Sequence, residues 1–314
     1  FIKIEEKNNL YLVDGKIINN EKKIPIILIQ DLLSSVPVDL DLKTLNFSSV
    51  NNFSFKVNKR FKFSDLDINS EINLNKLTFK NNFEHIKKYF PEIKELIDLK
   101  DHKIEFNYNK DRAEIIGVGQ ISIEDKEDKI SYEIVKKNTG KVFKFSDLDI
   151  NSEINLNKLT FKNNFEHIKK YFPEIKELID LKDHKIEFNY NKDRAEIIGV
   201  GQISIEDKED KISYEIVKKD RQYLFKNFFE IKQNIILIDE LNYKKNKNKK
   251  AKIKIDGVLS INKNLFFNEI SLIENDNSIL IKDLYLNNKL KISDIGLFKL
   301  DYKSYNKTYN QIYL

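Results

Sequence analysis

Apolar and polar residues alternate with a period of two along most of this chain, the pattern of strands that bury one face. Such runs predict strands at residues 10–13, 16–18, 24–29, 38–42, 72–79, 104–108, 115–123, 130–134, 223–231, 235–238, 251–260, 265–273, 279–286 and 290–302. Short polar links such as Asn275 to Ser278 join them. Asp14 and Gly15, between two apolar runs, predict a hairpin turn. We therefore expect an antiparallel, meandering sheet.

Between residues 82 and 98 the period changes to three and four, which is typical of a helix. The apolar positions that carry this pattern are Phe83, Ile86, Tyr89, Phe90, Ile93, Leu96 and Ile97. Pro91 interrupts the run, and proline suits the first turn of a helix rather than its middle. The pattern predicts two short helices, at 82–89 and 91–98.

A perfect internal repeat dominates the middle of the chain. Residues 61–137 recur without a single change as residues 143–219, an offset of 82 residues. Natural repeats usually keep their core positions while their surface positions drift. A recent duplication, an engineered one and an error in joining sequence reads all account for this identity.

The repeat divides the chain into four segments. Residues 1–60 form an N-terminal β segment, 61–142 the first copy with its spacer 138–142, 143–219 the second copy and 220–314 a C-terminal β segment. The predicted fold is mainly β with short helices (α+β). Its sheet is elongated and curved, and an open apolar groove is one form that such a sheet takes.

Composition argues against most enzyme classes. The chain of 314 residues has no cysteine and only four histidines, which removes disulfides, thiolate metal sites and cysteine nucleophiles. The sequence predicts no enzyme, no catalytic residue, no metal and no cofactor. Net charge is only +5, and the excess of Lys, Asn and Ile is what an AT-rich bacterial genome encodes most easily. Nucleic acid is therefore not the expected partner.

The chain starts at Phe1 and contains no methionine, so we expect it to be a piece of a longer protein. It has no apolar run long enough to span a membrane as a helix and no visible signal peptide.

Several short motifs resemble functional sites without completing them. Asp65, Asp67 and Asn69 match a calcium loop, but Ser70 replaces the required glycine. Asp101 beside His102 has no nucleophilic serine to form a triad. His85 is expected at the protein surface.

Gly117 and Gly119 lack the third glycine of a dinucleotide fingerprint. On one strand face they favour sheet curvature over a close ligand contact.

A lysine-rich run at residues 244–254 is the strongest charged feature. Its candidate anion-binding residues are Lys244, Lys245, Lys247, Lys249 and Lys250. Such a run binds nucleic-acid phosphates or anionic lipid in other proteins. Here it lies between two predicted strands and no aromatic residues alternate with the lysines, so a solvated hairpin loop explains it better.

The C-terminal segment FFNEISLIENDNSILIKDLYLNNKLKISDIGLFKLDY, at residues 266–302, resembles the AsmA-like envelope proteins, in particular the large YhdP-like members. The SDLDINSEINLNKLTF and GVGQISIED segments of the repeat show the same pattern of short, alternating strand pairs. The resemblance implies bridge-like lipid transfer. The resemblance thus implies a long apolar groove along which phospholipid moves to the outer membrane during outer-membrane biogenesis. It also implies a periplasmic location, an inner-membrane anchor missing from this chain, and inner- and outer-membrane proteins as partners.

The lipid would lie along one apolar strand face. The expected lining residues are Phe106, Tyr108, Ile121 and Ile123, with their copies Phe188, Tyr190, Ile203 and Ile205. Packing of these side chains under the two helices is the competing expectation. Two other functions stay open: a structural or adhesive β-rich envelope module without a ligand, and anion or nucleic-acid binding through the lysine run.

Overall fold

The computed structural model describes residues 1–20, 41–80, 87–124, 126–137, 147–163, 169–205, 208–260, 264–306 and 308–314. Within these ranges the protein is almost entirely β-strand. The first ten strands are β1 Ile2–Lys7, β2 Leu10–Asn19, β3 Asp41–Asn58, β4 Phe63–Lys80, β5 Leu96–Tyr108, β6 Arg112–Ser122, β7 Glu127–Lys137, β8 Leu148–Lys162, β9 Leu178–Asn191 and β10 Arg194–Ser204. The others are β11 Glu209–Lys219, β12 Gln222–Ile231, β13 Ile236–Ile238, β14 Tyr243–Lys245, β15 Ala251–Ser260, β16 Leu265–Glu274, β17 Asn277–Leu286, β18 Ile292–Lys303 and β19 Tyr309–Tyr313.

Strands that follow each other along the chain are antiparallel neighbours, as the alternating pattern predicts. Ladders run from β1 to β8, and further ladders join β10, β11, β12 and β15 to β19. β9 pairs with β10. β13 and β14 form a separate hairpin, and a 3-10 turn at Asp239–Leu241 connects them. The expected meandering antiparallel sheet is confirmed.

The described residues fall into two compact units. Unit 1 takes those within 1–84, 93–155 and 189–192, and unit 2 takes those within 85–92, 156–188 and 193–314. Both copies of the repeat form the same strands, since β5, β6 and β7 of the first copy correspond to β9, β10 and β11 of the second.

Of the predicted helix 82–89 the structure describes residues 87–89, where Lys87 is helical and the next two residues form a turn. The predicted helix 91–98 is wrong. Tyr89 and Pro91 lie in turns, and β5 already begins at Leu96, within the predicted helix 91–98. Ile97 is paired across the ladder with Phe79 of β4. The apolar spacing of three and four therefore arises from a turn followed by the start of a strand. Residues 82–86, His85 and the predicted strand 24–29 lie outside the described residues.

The N-terminal hairpin turns at a different place from the one predicted. β2 continues through Asp14 and Gly15, and the turn from β1 lies at Asn8 and Asn9. Both asparagines have positive φ angles, 52° and 64°, which asparagine tolerates better than most residues. Gly15 serves instead to admit an aromatic ring, because a Cβ there would lie 2.1 Å from Cζ of Phe53 on β3.

Unit 2 has a packed apolar core at one end of its strands. A segment of residues 232–250, here called the hairpin segment, supplies Ile236 and Tyr243 to this core. The strands contribute Ile179, Ile203, Ile231, Ala251, Leu272, Ile279, Leu300 and Tyr302, and Ile205 lies just after β10. The hairpin segment thus covers part of the apolar side of the sheet in this unit.

Within the described ranges, the structure contains no helix of the length and apolarity needed to cross a membrane.

Candidate functional site

The apolar face of unit 1 is the most extensive candidate surface in the described residues. Residues paired directly across a ladder share a face of the sheet. One such row crosses five strands, from Ser70 through Phe106, Ile115 and Ile134 to Ile150. The next row runs from Ile72 through Ile104, Gly117 and Tyr132 to Ser152.

The side chains of this face are half-buried rather than enclosed. Phe106, Ile115 and Ile134 keep intermediate exposure. Among the described strands of unit 1, the extensive contacts are those between neighbours in the ladder. The face is therefore a broad apolar surface whose side chains are sheltered mainly by one another.

The opposite face of the same strands is polar. On β6 it carries Glu114, Ile116, Val118 and Gln120. The guanidinium of Arg112 forms an ion pair with the carboxylate of Glu114 and lowers the pKa of that carboxyl by hydrogen bonding. The two aliphatic residues here are well exposed, with Val118 at 54%. The two faces of β6 thus differ in chemistry.

Two glycines on the apolar face of β6 make room for rings from neighbouring strands. A Cβ on Gly117 would lie 2.3 Å from Cζ of Tyr132, and one on Gly119 would lie 2.2 Å from Cδ2 of His102. The sequence favours sheet curvature for this pair, and the structure shows that neighbouring side chains approach both glycines closely. A β-bulge in β5 beside Gly119 includes Asp101, whose φ is 51°.

The His102 ring is held in this glycine space by polar contacts. Its Nε2 lies 2.9 Å from the carbonyl oxygen of Gln120, and its Nδ1 lies 3.2 Å from the hydroxyl of Tyr132. Only 1% of His102 is exposed. Burial also raises the pKa of the Tyr132 hydroxyl. Asp101 itself is exposed, so the sequence neighbours Asp101 and His102 have different surroundings.

The second copy builds the same arrangement with one difference. Gly199 and Gly201 lie against the rings of Tyr214 and His184, and Nε2 of His184 lies 2.9 Å from the carbonyl oxygen of Gln202. Here Nδ1 of the histidine has no hydrogen-bond partner among the described residues. Burial lowers the pKa of His184, while the Gln202 carbonyl and the Asp183 carboxylate act in the opposite direction.

The expected lipid-lining residues separate into two groups. Phe106, Tyr108, Ile121 and Ile123 are half-buried, as are Phe188 and Tyr190 of the second copy. Ile203 and Ile205 are instead 7% and 5% exposed, within the core that the hairpin segment covers. Identical residues therefore have different surroundings in the two copies.

The hairpin segment is anchored by buried polar groups that sequence reasoning missed. The carboxylate of Asp210 accepts hydrogen bonds from the backbone N–H groups of Lys232, Gln233 and Asn234, at 2.7, 2.9 and 3.3 Å. The hydroxyl of Tyr243 donates to Glu274 at 2.7 Å, and burial together with this carboxylate raises the pKa of Tyr243 well above its ordinary value.

The lysine run is part of this anchored segment. Nζ of Lys245 is buried and donates to the carbonyl oxygens of Lys232 and Asn234, at 2.9 and 2.5 Å. Lys247 forms an ion pair with Glu174 and Lys250 with Glu230, both at 2.6 Å. Lys244 and Lys249 are exposed.

The residues that resemble a calcium loop lie on a strand. Asp65, Asp67 and Asn69 belong to β4, where Asp65 pairs with Lys56 at 2.7 Å and the Asn69 amide donates to Asp67 at 2.8 Å. Among the described residues, no three His, Asp or Glu side chains come together in a way that would hold a metal ion.

Comparisons with protein-family models, with curated proteins and with solved structures find no match to this chain. The surfaces and contacts of the described residues, together with the resemblance of the C-terminal segment, are therefore the basis for assigning a function.

Proposed function

We propose that this chain is a segment of an AsmA-like envelope protein that holds phospholipid acyl chains along the apolar face of unit 1. The observation that carries the proposal is that two apolar rows, through Phe106 and Ile115 and through Ile104 and Tyr132, share one face and keep intermediate exposure. Large apolar patches on a protein surface commonly mark interaction or ligand-binding sites.

The physical basis is the transfer of methylene groups out of water. Each fully buried methylene contributes about 0.8 kcal/mol, and an acyl chain lying on the face buries part of each group. The polar face of β6 carries the charged Arg112 and Glu114 beside the exposed Ile116 and Val118. In this proposal the acyl chains follow the apolar face, while their headgroups remain in water.

The resemblance of the C-terminal segment to AsmA-like proteins is the basis for the proposed location, substrate and partners. In this proposal the protein lies in the periplasm and is anchored in the inner membrane through a segment outside this chain. Phospholipid moving to the outer membrane during outer-membrane biogenesis is the substrate, and membrane proteins at either end are the partners. The proposal involves no catalytic residue and no cofactor.

A structural or adhesive β-rich module is the second candidate function. The packed core of unit 2 favours it, because Ile203, Ile205, Ile236 and Tyr243 fill space that a ligand would need. Anion binding through the lysine run has less support, because Lys245, Lys247 and Lys250 contact carbonyl oxygens or carboxylates of the chain itself.

A charge placed on each face of the sheet distinguishes these functions. We expect Phe106→Glu to keep the fold, measured by circular dichroism, and to reduce severalfold the binding of fluorescent phospholipid taken from vesicles of phosphatidylethanolamine and phosphatidylglycerol. The matched control is Val118→Glu, on the polar face of the adjacent strand, which should bind lipid as the unchanged protein does. If Phe106→Glu unfolds the chain, or binds lipid normally, the face is not a lipid surface.

A further inference from the structure

Each copy of the repeat carries the same loop before β5 or β9, and the two loops meet different parts of the chain. We name residues 87–92 and 169–174 the docking loops. In the first copy the carbonyl oxygen of Tyr89 accepts a hydrogen bond from the backbone N–H of Lys162 at 2.6 Å. The carboxylate of Glu92 lies 3.7 Å from Nζ of Lys158. Both partners belong to β8, the first strand of the second copy.

The docking loop of the second copy makes the same two contacts with the hairpin segment. Tyr171, the counterpart of Tyr89, accepts a hydrogen bond through its carbonyl oxygen from the backbone N–H of Leu237 at 2.9 Å. Glu174, the counterpart of Glu92, forms an ion pair with Lys247 at 2.6 Å. In both copies the tyrosine carbonyl oxygen accepts a backbone N–H and the glutamate carboxylate contacts a lysine ammonium. The partners differ, since β8 and the hairpin segment have different sequences and structures.

The hairpin segment is also anchored independently of the docking loop. The Asp210 carboxylate accepts hydrogen bonds from the first backbone N–H groups of the segment. The Lys245 ammonium donates to the carbonyl oxygens of Lys232 and Asn234. The Tyr243 hydroxyl donates to the Glu274 carboxylate. The segment therefore presents Leu237 and Lys247 to the docking loop from a fixed position.

We propose that the hairpin segment is a terminal cap for the repeat. On the last copy it occupies the docking loop, as the first strand of the next copy does on the copy before. Repeat arrays need such caps, because the last unit otherwise exposes the surface that it offers to a neighbour. The partner that fits a docking loop is a segment with a free backbone N–H and a nearby lysine ammonium. The inference goes beyond the proposed function, and it holds whether or not the sheet binds lipid.

The absence of cysteine from the chain allows a direct test by cross-linking. Two double variants, Glu92→Cys with Lys158→Cys and Glu174→Cys with Lys247→Cys, should each be joined in the full chain by a short bis-maleimide. The mismatched control, Glu92→Cys with Lys247→Cys, should not be joined. Peptide mapping by mass spectrometry gives the yield of each cross-link.

The decisive variant carries a third copy, preceded by a second spacer, between Lys219 and Asp220. We expect the cross-link between positions 174 and 247 to fall at least tenfold, and position 247 to be joined instead to the matching position of the inserted copy. An unchanged yield between 174 and 247 would overturn the cap, as would failure of the longer chain to fold. A second variant lacking residues 61–142 has one docking loop, which must be joined to position 247 as efficiently as in the full chain.

Discussion

At the scale of single residues, the two glycines of β6 are required because aromatic rings occupy the space where a side chain would lie. Gly119 gives space to His102 and Gly117 to Tyr132, and the two rings are in hydrogen-bond contact. A methyl group added at Gly119 would occupy the space of the His102 ring, whose position is also fixed by its contact with the Gln120 carbonyl oxygen. The His102 ring is thus held between the Gln120 carbonyl and the Tyr132 hydroxyl.

We expect Gly119→Ala to destabilise the protein by about 1–3 kcal/mol, the usual cost of overpacking. This cost exceeds the roughly 0.4–1 kcal/mol that alanine gains by restricting the unfolded chain. Urea unfolding measures the change, and Val118→Ala on the exposed side of the same strand should stay within about 0.5 kcal/mol. If the clash with the ring is the cause, Gly119→Ala will cost less in a His102→Ala background.

A second residue-scale prediction concerns acid stability at His184. Burial lowers the pKa of His184 in the folded protein, so the unfolded chain, with a histidine pKa of about 6.5, takes up its proton first as the pH falls. Stability therefore decreases from about pH 6.5 downwards until the folded-state pKa is passed. We expect His184→Gln to lose less stability between neutral pH and pH 5 than the unchanged protein does.

Denaturation midpoints across this pH range give the comparison for His184. Tyr214→Phe keeps the buried imidazole and should retain the pH dependence of the unchanged protein. Equal losses of stability in His184→Gln and in the unchanged protein would contradict the assignment.

At the scale of elements, the start of the hairpin segment is bound by one carboxylate of β11. Asp210 is 3% exposed and receives three backbone N–H groups from residues 232–234. Hydrogen bonds to a buried charge are among the stronger ones, and buried donors left without a partner are costly. This carboxylate therefore fixes where the hairpin segment leaves β12.

We expect Asp210→Ala to destabilise the protein by about 3 kcal/mol, because three backbone N–H groups and the side-chain amide of Asn234 lose their acceptor. Hydrogen exchange of the backbone amides of Lys232, Gln233 and Asn234 should accelerate in the same variant. Glu209→Ala, which removes only the exposed ion pair with Lys182, should cost at most about 1 kcal/mol. Unchanged exchange of the three amides in Asp210→Ala would show that the carboxylate does not anchor the segment.

The elements that sequence could predict are those in which local alternation and ladder pairing agree. β15 has the bounds that alternation predicts, 251–260, and the turn at Asn275 joins β16 to β17 as its polar residues indicate. The predicted helix at 91–98 is wrong because the apolar positions of a turn and of the following strand, from Leu96, together imitate a helical period. β-strand pairing with β4 decides the structure there.

Much of the candidate site lay beyond sequence reasoning, because it depends on ladder register. That Phe106, Ile115 and Ile134 share a row follows from pairing and not from spacing along the chain. The roles of Asp210 and Lys245 also depend on contacts across 22 and 11 residues of sequence. The paired glycines were a visible signal, but which rings fill them was not.

At the scale of the whole molecule, two identical sequences have different surroundings. The apolar residues after β6 and β10 are half-buried in the first copy and enclosed in the second, where the hairpin segment covers them. The central claim is that the apolar face of unit 1 carries lipid.

Mass spectrometry of an organic extract of the purified chain, beside a mock purification, tests that claim most directly. The proposal predicts phospholipid enriched over the mock, at an amount close to that of the protein. A clean extract from folded protein would contradict the lipid-carrying role and favour a structural module.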